Sequence, residues 1–322
     1  MSDTLTIAAR NRLTPDSLRQ AIPLTVLIAL VLAVSSRDSD FLSADSLRAL
    51  ADSSTPLLIL GVGVTLVVMC GGIDLSVAAL ASFGSVLFAM WVPSMGFWAA
   101  VPAIAVTTGA GLVQGVVHVV AQIPSFVVTL GGMALWSGVA LTVSDAAPIA
   151  MRNRTILDFG DKELWGVPLT VIAALVVALI AAVAMVTTPL GRWIRATGNS
   201  ETAAYLAGVP VRATKIGSFA FSGFCAGAAA VVIVARGESG GPSSADTLLL
   251  PVVAAVVVGG TAITGGHGGI GRTVVGVLIV AVLRVGLSVI DISQTWEQVL
   301  YGALIIIAAA LTIERSKLAV LK

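Results

Sequence analysis

Apolar residues fall into ten runs, at 21–34, 55–70, 76–92, 97–120, 125–143, 168–186, 216–235, 248–263, 274–290 and 298–313. A helix rises 1.5 Å per residue, so about 20 apolar residues cross the hydrocarbon of a bilayer. The pattern predicts an all-α, polytopic membrane protein of about ten transmembrane helices, a single transmembrane domain over 1–322. The first run, about 14 residues, either borrows flanking residues or is a signal peptide. Its long polar head, without a clear small-x-small site, favours an uncleaved span.

The longest polar interval lies within 187–215, as GRWIRATGNSETAAYLAGVPVRATK from Gly191 to Lys215. It reads as a basic loop carrying one short helix. Asn199 is placed as N-cap, Glu201 puts an acid in the first turn, and Gly208 followed by Pro210 stops the helix after Ala203, Ala204, Tyr205, Leu206 and Ala207. A helix of about two turns is marginal alone, so packing or a partner must hold it.

Composition strengthens the membrane reading. The chain is 57% hydrophobic and 11% charged, against about 25% charged in soluble domains. Its 33 glycines suit helices whose backbones approach closely. Ten spans put both termini on one side. That side carries eleven of the 18 Lys and Arg residues, including Arg10, Arg12 and Arg19 in tail 1–20, Arg192, Arg195, Arg212 and Lys215 in the loop, and Arg315, Lys317 and Lys322 at the end. The positive-inside rule therefore makes tails 1–20 and 314–322 and the loop 187–215 cytoplasmic. Cys70 and Cys225 lie inside apolar runs and read as core residues rather than ligands or a disulfide.

Candidate chemistry is sparse. Gly266, Gly268 and Gly271 satisfy GxGxxG, and Arg272–Thr273 nearly completes a phosphate loop, but the following run is of membrane length, so a turn between spans is the better reading. Asp74, after Gly71 and Gly72, has two readings: with Ser76 it caps the next helix, or it lines a translocation path. Gln114 and His118, one turn apart, either bond a neighbouring helix or meet a polar solute. Arg284 either snorkels to the headgroups or faces a water-filled path, with Asp291 as a candidate partner. No nucleophile with a base, HExxH or Cys/His cluster is visible, so neither catalysis nor a bound cofactor is expected. Few acids or bases lie within the spans, which weighs against an ion-coupled carrier. VVMCGGID at 67–74 and VVVGGTAI at 256–263 echo each other, as in transporters built from two loosely repeated halves.

Four stretches together resemble the permease subunits of ribose-type ABC importers: GGIDLSV (71–77), IPSFVVTLGGMALWSGVAL (123–141), the Gly191–Lys215 loop, and VVVGGTAITGGHGGIGRT (256–273). The resemblance implies a multi-pass protein of the bacterial inner membrane that passes a small polar solute, most readily a monosaccharide. Its partners would be ATP-hydrolysing subunits that bind the ATP, a second permease, an external solute-binding protein and membrane lipid, with no nucleic acid. The loop would be the ATPase-coupling segment, with Asn199, Glu201, Ala203, Ala204, Leu206, Gly208 and Val209 as its residues and Asp74, Gln114 and Arg284 as candidates for the path. Ala78 and Arg272 depart from the family's pattern in packing or a turn; Arg284 stands where a small polar amide is common and, if it faces the path, changes which solute passes, so ribose itself is not implied. Permeases for branched-chain amino acids or nucleosides, and an ion-coupled secondary carrier, are the alternatives.

Overall fold

The computed structural model describes residues 15–293 and 295–312. Tail residues Arg10 and Arg12, and the whole of tail 314–322 with Arg315, Lys317 and Lys322, lie outside them. The helices are α1 (Pro15–Ser35), α2 (Ala44–Ser53), α3 (Thr55–Met69), α4 (Val77–Met95), α5 (Ala100–Val120), α6 (Ser125–Val143), α7 (Arg154–Asp161), α8 (Leu169–Thr187), α9 (Pro189–Asn199), α10 (Glu201–Leu206), α11 (Val211–Gly237), α12 (Leu249–Val258), α13 (Ile270–Val289) and α14 (Thr295–Thr312). All but α2, α7, α9 and α10 coincide with the ten apolar runs.

The crossings differ from the expectation in length. Among the described residues five stretches are long and apolar enough to cross a membrane, or six if α2 and α3, bent by 47°, form one span. The longest, Val77–Val120, is folded at Gly96 into α4 and α5. α12 stops at Val258, five residues before its apolar run ends, because Gly260 turns to φ +96°. Ten apolar helices are present among the described residues, and five or six of the stretches they form have the length and apolarity of a full span.

α3 and α11 occupy the centre. TPLLILGVGVTLVVM has no polar stripe, and every residue of α3 is buried, as an evenly apolar helix must be. Glycines set how closely the central helices approach. A Cβ on Gly63 of α3 would lie 2.8 Å from Cys225 Cβ and 3.0 Å from Ser222 Cα of α11. Gly111 and Gly115 of α5 face α11 likewise, a Cβ on Gly111 lying 3.1 Å from Gly223 Cα. Cys70 and Cys225 are buried free thiols, as core residues would be.

Two ends of the bundle follow from the contacts. At one, Asp52 of α2 accepts hydrogen bonds from Thr170 of α8 and, at 2.8 Å, from Arg236 Nε of α11. The same end carries two short antiparallel pairs. β1 (Ile149–Ala150) pairs with β4 (Ser239–Gly240), and β2 (Glu163–Leu164) with β3 (Val167–Pro168) around Trp165 and Gly166, both at positive φ. α7, capped by Asn153, also lies here, and Lys162 donates to Asp158 at 2.8 Å, holding that exposed carboxyl below its usual pKa. The other end is formed by α9, α10 and the breaks after α3 and α12.

Candidate functional site

The polar loop holds two helices, not one. α9 begins at Pro189, with Thr188 Oγ1 accepting the Leu190 N–H at 3.2 Å, and buries Gly191, Ile194 and Thr197. Asn199 is its last residue and not the cap of the next helix. That role belongs to Ser200, whose extended backbone (φ −162°, ψ 109°) lets its Oγ accept the Ala203 N–H at 3.3 Å. α10 closes at Gly208 (φ +78°), where the Val209 N–H reaches back to Ala204 O at 3.0 Å. Lys215 of α11 donates to Glu201 Oε2 at 2.5 Å, tying α10 to the bundle. Ala203 and Ala204 face opposite ways: Ala204 is buried, Ala203 exposed. Beside Ala203, Tyr205 is 73% and Leu206 81% exposed.

The far side of this loop rests on a junction of glycines. The Gly266 N–H donates to Met69 O, the last carbonyl of α3, at 2.9 Å. A Cβ on Gly265 would stand 2.9 Å from both Gly198 O of α9 and Gly71 N. Gly198 itself packs so closely on Met69 O and Gly266 N that a Cβ there would overlap both, and Asn199 Oδ1 lies over Gly266 in the same way. The end of α9, the end of α3 and the loop 259–269 thus meet backbone to backbone. Two buried hydroxyls beside this contact, Thr197 Oγ1 and Thr261 Oγ1, have no hydrogen-bond partner.

The echo between 67–74 and 256–263 has a physical basis here. After α3, Gly71 (φ +79°) and Gly72 donate to Val68 O and Val67 O, both at 2.9 Å. After α12, Gly260 (φ +96°) and Thr261 donate to Val257 O and Val256 O, at 2.9 and 3.1 Å. Both are the same glycine-capped helix end, in the register at which the two stretches align. Arg272, donating to Gly260 O at 3.0 Å, closes its own loop. The run preceding that loop is a helix rather than a strand, so neither nucleotide signature has the context it needs.

Five residues beyond Met69 lies Asp74, 2% exposed. Its Oδ1 accepts the Ser76 N–H (2.9 Å) and hydroxyl (2.7 Å), as the capping reading requires, while its Oδ2 accepts the Ser222 hydroxyl of α11 at 2.7 Å. Gln114 belongs to the same buried cluster, against Gly132 of α6 and close to Ser76. His118 lies near it and closes the α5–α6 turn: its Nδ1 is 2.6 Å from Ile123 O, so that nitrogen carries the proton. Arg284 is elsewhere. It is about half exposed on α13, 3.7 Å from Glu297 of α14, which in turn accepts from Tyr301. Glu297 therefore takes the place expected of Asp291, which instead ends α13 in the left-handed region (φ +54°). Among the described residues no group of three or more His, Cys, Asp or Glu is placed to hold a metal.

A family described as the branched-chain amino acid transport system permease component matches residues 46–309, which include the loop, both helix breaks and the Asp74 cluster. The chain belongs to this permease family. It is a polytopic membrane transport component and not an enzyme. The ribose import permease protein RbsC of Haemophilus influenzae is 32% identical over 91% of both chains. RbsC of Escherichia coli is 30% identical over 95% of the permease and 97% of its own length. The D-allose transport system permease protein AlsC of Escherichia coli is 30% identical over 84% of each. No solved structure matches the permease.

Proposed function

We propose that the permease is the membrane-spanning subunit of an ATP-driven importer that passes a monosaccharide, delivered by an external solute-binding protein, along a path formed with a second permease. The ribose and allose permeases among its relatives support the sugar class. Its place would be a bacterial inner membrane, with the termini and the loop 187–215 cytoplasmic.

The observation that carries the mechanical part is α10. Its outward side presents Ala203, Tyr205 and Leu206, an apolar patch on a six-residue helix that the described residues leave uncovered. Such a patch suits a groove on a soluble ATPase. Its inward side connects through Asn199 and Gly198 to the ends of α3 and α12. A push on α10 then moves Met69 and Gly71, and with them the segment that holds Asp74. Small residues allow this transmission because backbones in direct contact leave little slack.

The test is co-purification with the ATPase subunit encoded beside the permease. Tyr205→Asp combined with Leu206→Asp should abolish it and leave the permease's own melting temperature unchanged, since neither side chain is packed. Retained co-purification refutes docking at α10. Separately, solute uptake driven by an ion gradient in liposomes containing only this chain would overturn the importer class.

A further inference from the structure

Gln114 on α5 is 5% exposed, and among the described residues neither its Nε2 nor its Oε1 has a hydrogen-bond partner. An unpaired buried carboxamide destabilises the state it sits in, and an apolar side chain of similar size would not. Keeping one here points to another state in which both atoms are paired. Its surroundings show with what. Four helices deliver polar groups to one place: Ser76 at the start of α4, Gln114 on α5, Ser125 and Thr129 on α6, and Ser222 on α11, around the Asp74 carboxylate.

The part of this cluster that covers Gln114 is α6. Gly132 lies directly on Oε1, and a Cβ there would also stand 3.5 Å from Ser76 Cβ. Yet α6 packs chiefly on α4 and α5, and only 17% of its apolar length is buried. Its N-terminal end is tied to the segment before Asp74, where Ser125 Oγ accepts the Ile73 N–H (3.0 Å) and Thr129, one turn before Gly132, donates to Ile73 O (3.1 Å). A shift of α6 that lifts Gly132 off Oε1 uncovers the carboxamide beside Ser76 and Asp74.

Chemistry narrows the occupant. The cluster offers a carboxamide that both donates and accepts, several hydroxyls and a carboxylate, and no cation, for Asp74 is in no ion pair among the described residues. The carboxylate of an amino acid or a phosphate would meet Asp74 without a counter-charge. Vicinal hydroxyls of a neutral sugar match the set. We propose that Gln114, with Asp74, Ser76 and Ser222, is the contact for a neutral polyhydroxylated solute on its way through the permease. This rests on the importer reading above and adds the residues that contact the solute and the one that selects it.

The experiment is a thermal melt of the purified full chain in detergent, with D-ribose, D-allose, ribose 5-phosphate or L-leucine added at millimolar concentration, for the wild type and Gln114→Leu. In the wild type, ribose or allose should raise the melting temperature while the phosphate and leucine do not. Gln114→Leu should raise the solute-free melting temperature by about 2 °C or more, because it removes an unpaired group. It should also weaken the sugar response at least about tenfold. A merely structural glutamine gives neither this opposition of stability and binding nor any sugar response. The proposal is overturned by a wild type that responds to none of the four or to leucine instead, or by a leucine variant that melts lower or keeps the sugar response. Gln114→Met provides a second, more flexible replacement for which the same outcomes decide. Co-purification with the ATPase reads the importer assignment independently: it should persist in Gln114→Leu, and its absence in the wild type would count against that assignment and not against the sugar site.

Discussion

Gly265→Ala tests the glycine junction directly. Gly265 has φ +87°, and its added methyl would stand 2.9 Å from Gly198 O of α9 and 2.9 Å from Gly71 N after α3. The left-handed backbone costs a non-glycine residue about 1–2 kcal/mol. Ordinary contact for a Cβ begins near 3.4 Å, so two backbones must each yield about half an ångström, an overpacking cost of about 1–3 kcal/mol. The sum is about 2–5 kcal/mol, and the second part falls on the contact between the loop and the broken helix. Gly166→Ala is the matched control. Gly166 has φ +77°, but its methyl meets only the guanidinium end of Arg48, at 3.1 Å, on the opposite end of the bundle. It should show the conformational cost alone. In the proposed importer, reconstituted with an ATPase subunit, Gly265→Ala should lower solute uptake at least about tenfold while ATP hydrolysis persists, and Gly166→Ala should lower neither. If Gly265→Ala assembles and transports as well as Gly166→Ala, the junction does not transmit motion.

Further outcomes follow from single contacts. Ala204→Leu should lower the melting temperature of the permease, because Ala204 is only 4% exposed and overpacking there costs about 1–3 kcal/mol; Ala203→Leu, on the exposed side, should leave it unchanged. Asp291→Gly should raise stability by about 0.4–1 kcal/mol in a detergent melt, since Asp291 holds a left-handed helix end suited to glycine. Asp52→Ala should cost about 1–3 kcal/mol, because it leaves the Thr170 hydroxyl and the Arg236 guanidinium without their shared acceptor, and should speed proteolysis of the α2 region.

Hydropathy carried most of the architecture, since long runs such as LLILGVGVTLVVM admit only a buried helix. The exceptions were amphipathic. α9 mixes Leu190, Trp193 and Ile194 with Arg192 and Arg195, so it read as loop, although Thr188–Pro189 is a helix-start signal that marks its N-terminus. α2 and α7 are too short for periodicity to show them, but Ser43 and Asn153 cap them as such residues do. Asn199 and Ser200 are both good caps, and only the backbone decides between them. Asp74 and Gln114 were legible as polar residues in apolar surroundings, and their proximity was not, because it depends on α4, α5 and α6 meeting at Gly132. Arg284 drew attention for the same reason, and its partner Glu297 lies on a helix that sequence distance alone could not orient. The glycine junction was invisible for a different reason. A glycine permits close approach, but which backbone approaches it is a property of the tertiary structure.

The matching ends of α3 and α12 have a consequence for timing. The end of α9 meets both breaks at once, through Met69 on one side and Gly265 and Gly266 on the other, and Gly265 in turn packs on Gly71. The two helix breaks are therefore held to each other at this end. A shift of one break without the other has to break the Gly266–Met69 hydrogen bond and part the glycine backbones packed around it.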